Sequence, residues 1–159
     1  MVTIQAGDVL FFKSDGSFIE DEISRVTRSP YVHCAVAVGD GTLIDSNGFI
    51  KTREIPLEDE PGYDVFRIPG LTASHAYRMV EYAKSKIGTS YDYEKIAGLF
   101  IRFEIFHRFQ GFHEKGHYIC SSLVDEALIA ANVPRKNKDF IGNLSPGEIL
   151  TYYNFKLIA

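Results

Sequence analysis

The stretch Tyr31-Val32-His33-Cys34-Ala35-Val36-Ala37-Val38, continued by Gly39-Asp40-Gly41 and Thr42-Leu43-Ile44-Asp45, decides the fold. Its first eight residues are apolar or β-branched on both faces, as in a strand buried in the middle of a sheet. The aspartate between two glycines is a hairpin signal, so Thr42 to Asp45 returns antiparallel beside it. Alternation puts Tyr31, His33, Ala35 and Ala37 on one face and Cys34, Val36 and Val38 on the other. Loop length then decides what His33 meets. With a three-residue loop, Gly39 to Gly41, Val38 pairs with Thr42 and Ala35 with Asp45, which makes Asp45 a diagonal neighbour of His33. With a two-residue loop, Asp40-Gly41, Asp45 moves to the opposite face.

Upstream, Asp8-Val9-Leu10-Phe11-Phe12 after Gly7 reads as a buried strand. Ser17-Phe18-Ile19-Glu20 has the form of a capping box, with Ile19, Ile23 and Val26 at helical spacing and Ser29-Pro30 as the stop. Downstream, Tyr63 to Ile68 is a strand before Pro69-Gly70. Thr72 caps a helix to about Ile87, with Ala76, Met79, Val80 and Ala83 on one face and Gly88 ending it. Residues Tyr93 to Phe109 fit either a helix or a packed loop. Cys120, Leu123, Val124, Ala127, Leu128 and Ala131 form an amphipathic helical stripe that ends before Pro134 and carries Cys120 in its first turn. Strands first and helices afterwards predict an α+β fold, an antiparallel sheet packed against helices.

The chain of 159 residues is expected to form a single domain over 1–159, with no repeat or linker. Seventeen Lys and Arg against 21 Asp and Glu leave a net charge of −4, which argues against nucleic-acid binding. The acidic run Glu58-Asp59-Glu60 and the basic run Arg135-Lys136-Asn137-Lys138 read as solvated loops. No apolar run reaches the length of a transmembrane helix. The N-terminus shows no signal-peptide pattern, so a cytoplasmic location is expected, with delivery to a cell wall by another route left open. Two cysteines, Cys34 and Cys120, are too few for a disulfide scaffold and suggest a reducing compartment or a thiol with a chemical role.

Cys120 is the leading candidate for that role. A helix N-terminus favours the thiolate, although a buried cysteine is also an ordinary small hydrophobe. Cys34, mid-strand among apolar residues, is expected to be inert. His33 interrupts an apolar strand, and burying an imidazole costs free energy unless it has a partner. The small Ala35 and Ala37 beside it leave room for a helix start carrying Cys120. Asp45 is the candidate orienting carboxylate, with an ordinary turn-side aspartate as its alternative. His113-Glu114-Lys115-Gly116-His117 matches the H-E-x-x-H zinc pattern, but Gly111 and Gly116 weaken the helix that such a site requires. It is read as a chance match, and no metal or cofactor is expected. The segment from Ile96 to Phe103, with Phe106, Phe109 and Phe112, is read as core rather than as a lipid-binding surface.

Five segments, in this order, resemble a known family: Gly7-Asp8-Val9-Leu10-Phe11, Ser29-Pro30-Tyr31-Val32-His33 with its strand, Gly41-Thr42-Leu43-Ile44-Asp45, Gly88-Thr89-Ser90-Tyr91-Asp92, and Tyr118-Ile119-Cys120-Ser121-Ser122-Leu123-Val124. Together they cover residues 7 to about 131 and are similar to the circularly permuted NlpC/P60 papain-like proteins, in the YiiX-like and lecithin–retinol-acyltransferase-like branch. In this branch the histidine strand precedes the cysteine helix. The resemblance implies Cys120 as nucleophile, His33 as general base, Asp45 as the residue that orients it, and Tyr91 as an oxyanion or substrate contact. It further implies a cysteine amidase or peptidase acting on a peptide or peptidoglycan fragment through a thioester. The alternatives are an acyltransferase or lipid-handling enzyme with an acyl substrate, and a binding module without activity.

Overall fold

The computed structural model describes residues 3–46, 51–91, 117–118 and 120–159; the side chains of 18, 19, 22, 26, 91, 117 and 118 lie outside that description. Strand β1 (Val9–Lys13) leads through α1 (Phe18–Thr27) to β2 (Tyr31–Ala37), β3 (Thr42–Asp45), β4 (Arg53–Pro56) and β5 (Tyr63–Arg67). Helix α2 (Ala73–Lys84) is followed by the short strands β6 (Ser90–Tyr91) and β7 (His117–Tyr118), α3 (Cys120–Ala130), α4 (Pro146–Tyr152) and β8 (Lys156–Leu157). Six strands form one sheet in the order β4-β3-β2-β1-β5-β8, every neighbouring pair antiparallel. The fold is α+β. No helix among the described residues is long and apolar enough to cross a membrane.

Local chemistry explains most boundaries. Ser17 accepts from Glu20 N at the start of α1, but the Glu20 carboxylate takes Asp15 N instead of closing the capping box. Arg28, in the left-handed region, ends that helix ahead of Ser29-Pro30. Thr72 and His75 form a capping box on α2, whose buried residues are the expected Ala76, Met79, Val80 and Ala83. Ser145 and Glu148 form another on α4, with Pro146 in its first turn.

The sheet divides two apolar layers. Val9, Phe11, Cys34, Val36 and Ile44 face the helices and join Met79, Leu123, Val124, Leu128 and Ile149 in the main core. Leu10, Phe12, Ala35, Ala37 and Leu43 pack on the other face with Ile4, Ile55, Leu57 and Tyr63. Strict alternation fails at one point in β2. The β1–β2 register pairs Phe12 with His33 but Lys13 with Tyr31, so a bulge at Val32 intervenes. Tyr31 therefore turns to the helix side, edge-on to Phe11 at 5.5 Å, and does not share a face with His33 as alternation predicts.

The hairpin uses the three-residue loop. Val36 pairs with Ile44 and Ala37 with Leu43, and Val38 N donates to Thr42 O at 3.0 Å. Gly39 makes this turn with φ 97°, and a Cβ there would lie 2.6 Å from the backbone nitrogen of Ala6. Both the dihedral and the contact exclude a side chain. Gly39→Ala is expected to lower stability by about 1–3 kcal/mol, read as a lower urea midpoint at unchanged m-value. An unchanged midpoint would show that the turn relaxes freely.

Helix α3 is fixed from its far side by a buried charge. Asp125 is fully buried and accepts from Arg135 Nε at 3.0 Å, Arg135 Nη2 at 3.2 Å, Gly142 N at 2.8 Å and the Tyr153 hydroxyl at 2.6 Å. Ser122 Oγ donates to Gly142 O at 2.6 Å. One carboxylate thus ties the helix that begins at Cys120 to the chain between 135 and 153.

Candidate active site

Three elements distant in sequence converge at one end of the sheet. The β2–β3 ladder stops at Val36–Ile44, so among the described residues no strand pairs with His33 and Cys34 on their β3 side. Asp45, the last residue of β3 and 1% exposed, reaches toward that gap. Its Oδ1 lies 2.6 Å from His33 Nε2, an ion-pair contact across the two strands. The Phe12 ring, 5.3 Å from the imidazole and tilted by 43°, packs against it from β1. Arg53, opposite Asp45 on β4, places Nη2 3.8 Å from the other carboxylate oxygen. At that distance Arg53 contributes charge rather than a hydrogen bond.

Cys120 opens α3 and is 6% exposed. The helix start adds the positive end of the helix dipole. The hydrogen bond with the Cys34 thiol lowers its pKa most, burial opposes this, and the charge of His33 lowers it further; the net result is well below the ordinary thiol range. Burial works against a charge on His33, but the Cys120 thiolate and the contact with Asp45 outweigh it and hold the imidazolium well above its usual range. Cys34 goes the other way: burial first, then its neighbour Cys120, push it well above 9.0 and keep it a thiol. The shifts of Cys120 and His33 both run in the direction of a thiolate–imidazolium pair, with the Asp45 side chain beside it. Since Nε2 is engaged by Asp45, Nδ1 is the ring nitrogen left for the sulfur.

The approach differs from the sequence expectation in one respect. Helix α3 packs on the Cys34 face of β2, not in the space beside Ala35 and Ala37, which Leu10, Phe12 and Leu43 fill. Cys120 therefore touches Cys34, expected to be inert, as well as acting on His33. Two-residue alternation offered no signal for this, because it separates His33 and Cys34 onto opposite faces.

Tyr91 is placed by register alone. Strand β6 pairs parallel with β7, setting Tyr91 opposite Tyr118, two residues before Cys120. Its side chain lies outside the described residues. A run of hydroxyls that sequence reasoning missed connects this strand to the Asp45 end of β3. Thr52 Oγ1 donates to Ser46 Oγ at 3.2 Å and shares a hydrogen bond with Thr89 Oγ1 at 3.0 Å. Thr52 and Thr89 also bond through their backbones. The only sequence hint was that Ser46 follows Asp45 and that Thr89 lies two residues before Tyr91.

His117 lies in a strand, so the H-E-x-x-H segment cannot present both histidines on one helical face. His113 and Glu114, and the Phe-rich segment from Ile96 to Phe112, fall outside the described residues. Among the described residues no group of three or more His, Cys, Asp or Glu is arranged to hold a metal ion.

No protein-family model matches the sequence, and no curated protein matches it. Among solved structures, the chain is similar to a crystal structure of the metalloprotein yiiX from Escherichia coli O157:H7, with a TM-score of 0.69 at 18% identity. The match covers 99% of this chain and 98% of that one. The likeness is one of fold.

Proposed function

We propose that the protein is a cysteine-dependent hydrolase of the permuted NlpC/P60 papain-like type, one domain acting on an amide bond. The observation that carries this reading is the meeting of Cys120, His33 and Asp45, from a helix start and two strands, in a charge state suited to nucleophilic attack. In this mechanism the Cys120 thiolate attacks the carbonyl carbon. The backbone N–H of Cys120 and the hydroxyl of Tyr91 are assigned to the oxyanion. His33 gives its proton to the departing amine, leaving a thioester on Cys120 and a neutral imidazole. Neutral His33 then takes a proton from water, which attacks the thioester and restores the resting pair. Asp45 keeps the ring oriented and balances its charge throughout. Peptide or peptidoglycan-fragment amides are the proposed substrates.

The metal implied by the description of yiiX has no matching donor set among the described residues of this chain. Activity is expected to survive EDTA. Loss of activity to EDTA with recovery on adding zinc would reverse that expectation.

The test is a screen of purified protein against muropeptides and acylated lipids, followed by quenching and mass analysis of the Cys120 peptide. An acyl adduct on Cys120 with release of an amine supports the hydrolase reading. Products carrying the acyl group on a second acceptor would redirect it to acyl transfer. Undiminished turnover in Cys120→Ala would overturn it.

A further inference from the structure

Thr52 has no part in the mechanism above, yet it joins two parts of the site. It is 1% exposed and immediately precedes Arg53, the residue opposite Asp45 on β4. Its hydroxyl donates to Ser46 Oγ, one residue beyond Asp45, at 3.2 Å and shares a hydrogen bond with Thr89 Oγ1 at 3.0 Å. Its backbone holds the same segment twice: Thr52 N donates to Thr89 O at 2.9 Å, and Gly88 N donates to Thr52 O at 2.8 Å. Thr89 leads directly into β6, whose parallel pairing with β7 sets Tyr91 opposite Tyr118, two residues ahead of Cys120. Building on the reading of Cys120 as nucleophile, we propose that Thr52 is a positioning residue that fixes the β6–β7 pair, and through it the start of α3, relative to the strand end that carries Asp45.

The two ends of this run of contacts belong to different halves of the site. Asp45 meets His33 within the sheet, at 2.6 Å, whereas Cys120 arrives on a helix directly after β7. The attraction between a thiolate and an imidazolium falls with their separation, and a helix dipole acts over the first turn only. A small displacement of the helix start therefore changes how strongly Cys120 is held ionised. The groups that act on Cys120 are His33 and Cys34 from β2, with Asp45 of β3 and Arg53 of β4 behind His33. Substituting Thr52 removes none of these groups and no charge, so a change in Cys120 ionisation reports position. A threonine buried for packing alone would require its volume and not its hydroxyl.

The experiment is the pH dependence of Cys120 alkylation by iodoacetamide, followed by mass analysis, in wild type, Thr52→Val, Thr52→Ser, Thr89→Val and the double valine variant, each with its urea midpoint. Valine keeps the shape of threonine without the hydroxyl, and serine keeps the hydroxyl. The acid limb is expected to rise by about half a pH unit in Thr52→Val, a roughly threefold loss of thiolate below it, with Thr52→Ser near wild type. Thr89→Val removes the same hydroxyl contact from its half-buried end and should move the limb in the same direction. The double variant should move it by less than the sum, because the two hydroxyls share one contact. An acid limb that keeps its wild-type position in both single valine variants, whatever their urea midpoints, would make Thr52 a structural residue only and overturn the proposal. Thr89→Val decides by the same criterion if Thr52→Val does not fold. A wild-type Cys120 that reacts like a free thiol would instead overturn the nucleophile reading on which the proposal rests.

Discussion

Iodoacetamide at pH 6.5 is expected to label Cys120 about fivefold to tenfold faster than a free thiol, to leave Cys34 unlabelled, and to remove turnover as the label accumulates. An unperturbed thiol is only about 1% ionised at that pH, whereas the lowered pKa of Cys120 gives it a larger thiolate fraction; its lower intrinsic nucleophilicity offsets part of the gain. Cys34, pushed up by burial and by its neighbour, stays protonated. Turnover should follow a bell in pH. Its acid limb marks protonation of Cys120 and lies well below 9.0; its alkaline limb marks proton loss from His33 and lies above 6.5. Both limbs move outward because each charge stabilises the other. In His33→Ala the acid limb should rise toward the free-thiol range, and turnover in either His33→Ala or Cys120→Ala should drop on the order of 10⁴-fold or more. Equal labelling of both cysteines in the folded protein would be incompatible with the site described.

The second large effect concerns stability. Asp125→Ala is expected to cost about 3–5 kcal/mol, because it leaves the Arg135 guanidinium and the Tyr153 hydroxyl without their buried acceptor. Asp125→Asn keeps an acceptor but loses the charge and should cost less. Urea unfolding followed by circular dichroism measures both. The alanine variant should also loosen the start of α3, so its alkylation at Cys120 would lose the low acid limb before global unfolding. A loss below about 1 kcal/mol would mean that the network adds little beyond the apolar packing around it.

The parts legible in the sequence were those encoded over short range. The continuous apolar run of β2, the glycine-bounded turn and the stripe beginning at Cys120 each state their element, because strand and helix periods and turn chemistry are local. That was enough for the α+β fold and for His33, Asp45 and Cys120 as candidates. The hairpin register was not settled locally. Leu43 and Ile44 are both apolar and both buried, one on each face of the sheet, so polarity does not choose the pairing; the three-residue turn, with Gly39 close against Ala6, goes with the register that puts Asp45 beside His33. Strands β4 and β8 escaped notice because one ends in Pro56 and the other has two residues, too few for a period to appear.

What the sequence by itself determined is therefore which elements exist and which residue types could do chemistry. The tertiary structure alone decided how they meet. The bulge at Val32 turned Tyr31 to the helix side. The filled layer of Leu10, Phe12 and Leu43 sent α3 to the Cys34 face, and this brought a second thiol against Cys120. The Asp125 network joined residues between 125 and 153 that share no pattern. These outcomes depend on side-chain volume and buried charge summed over distant segments, and periodicity within one segment does not carry that information.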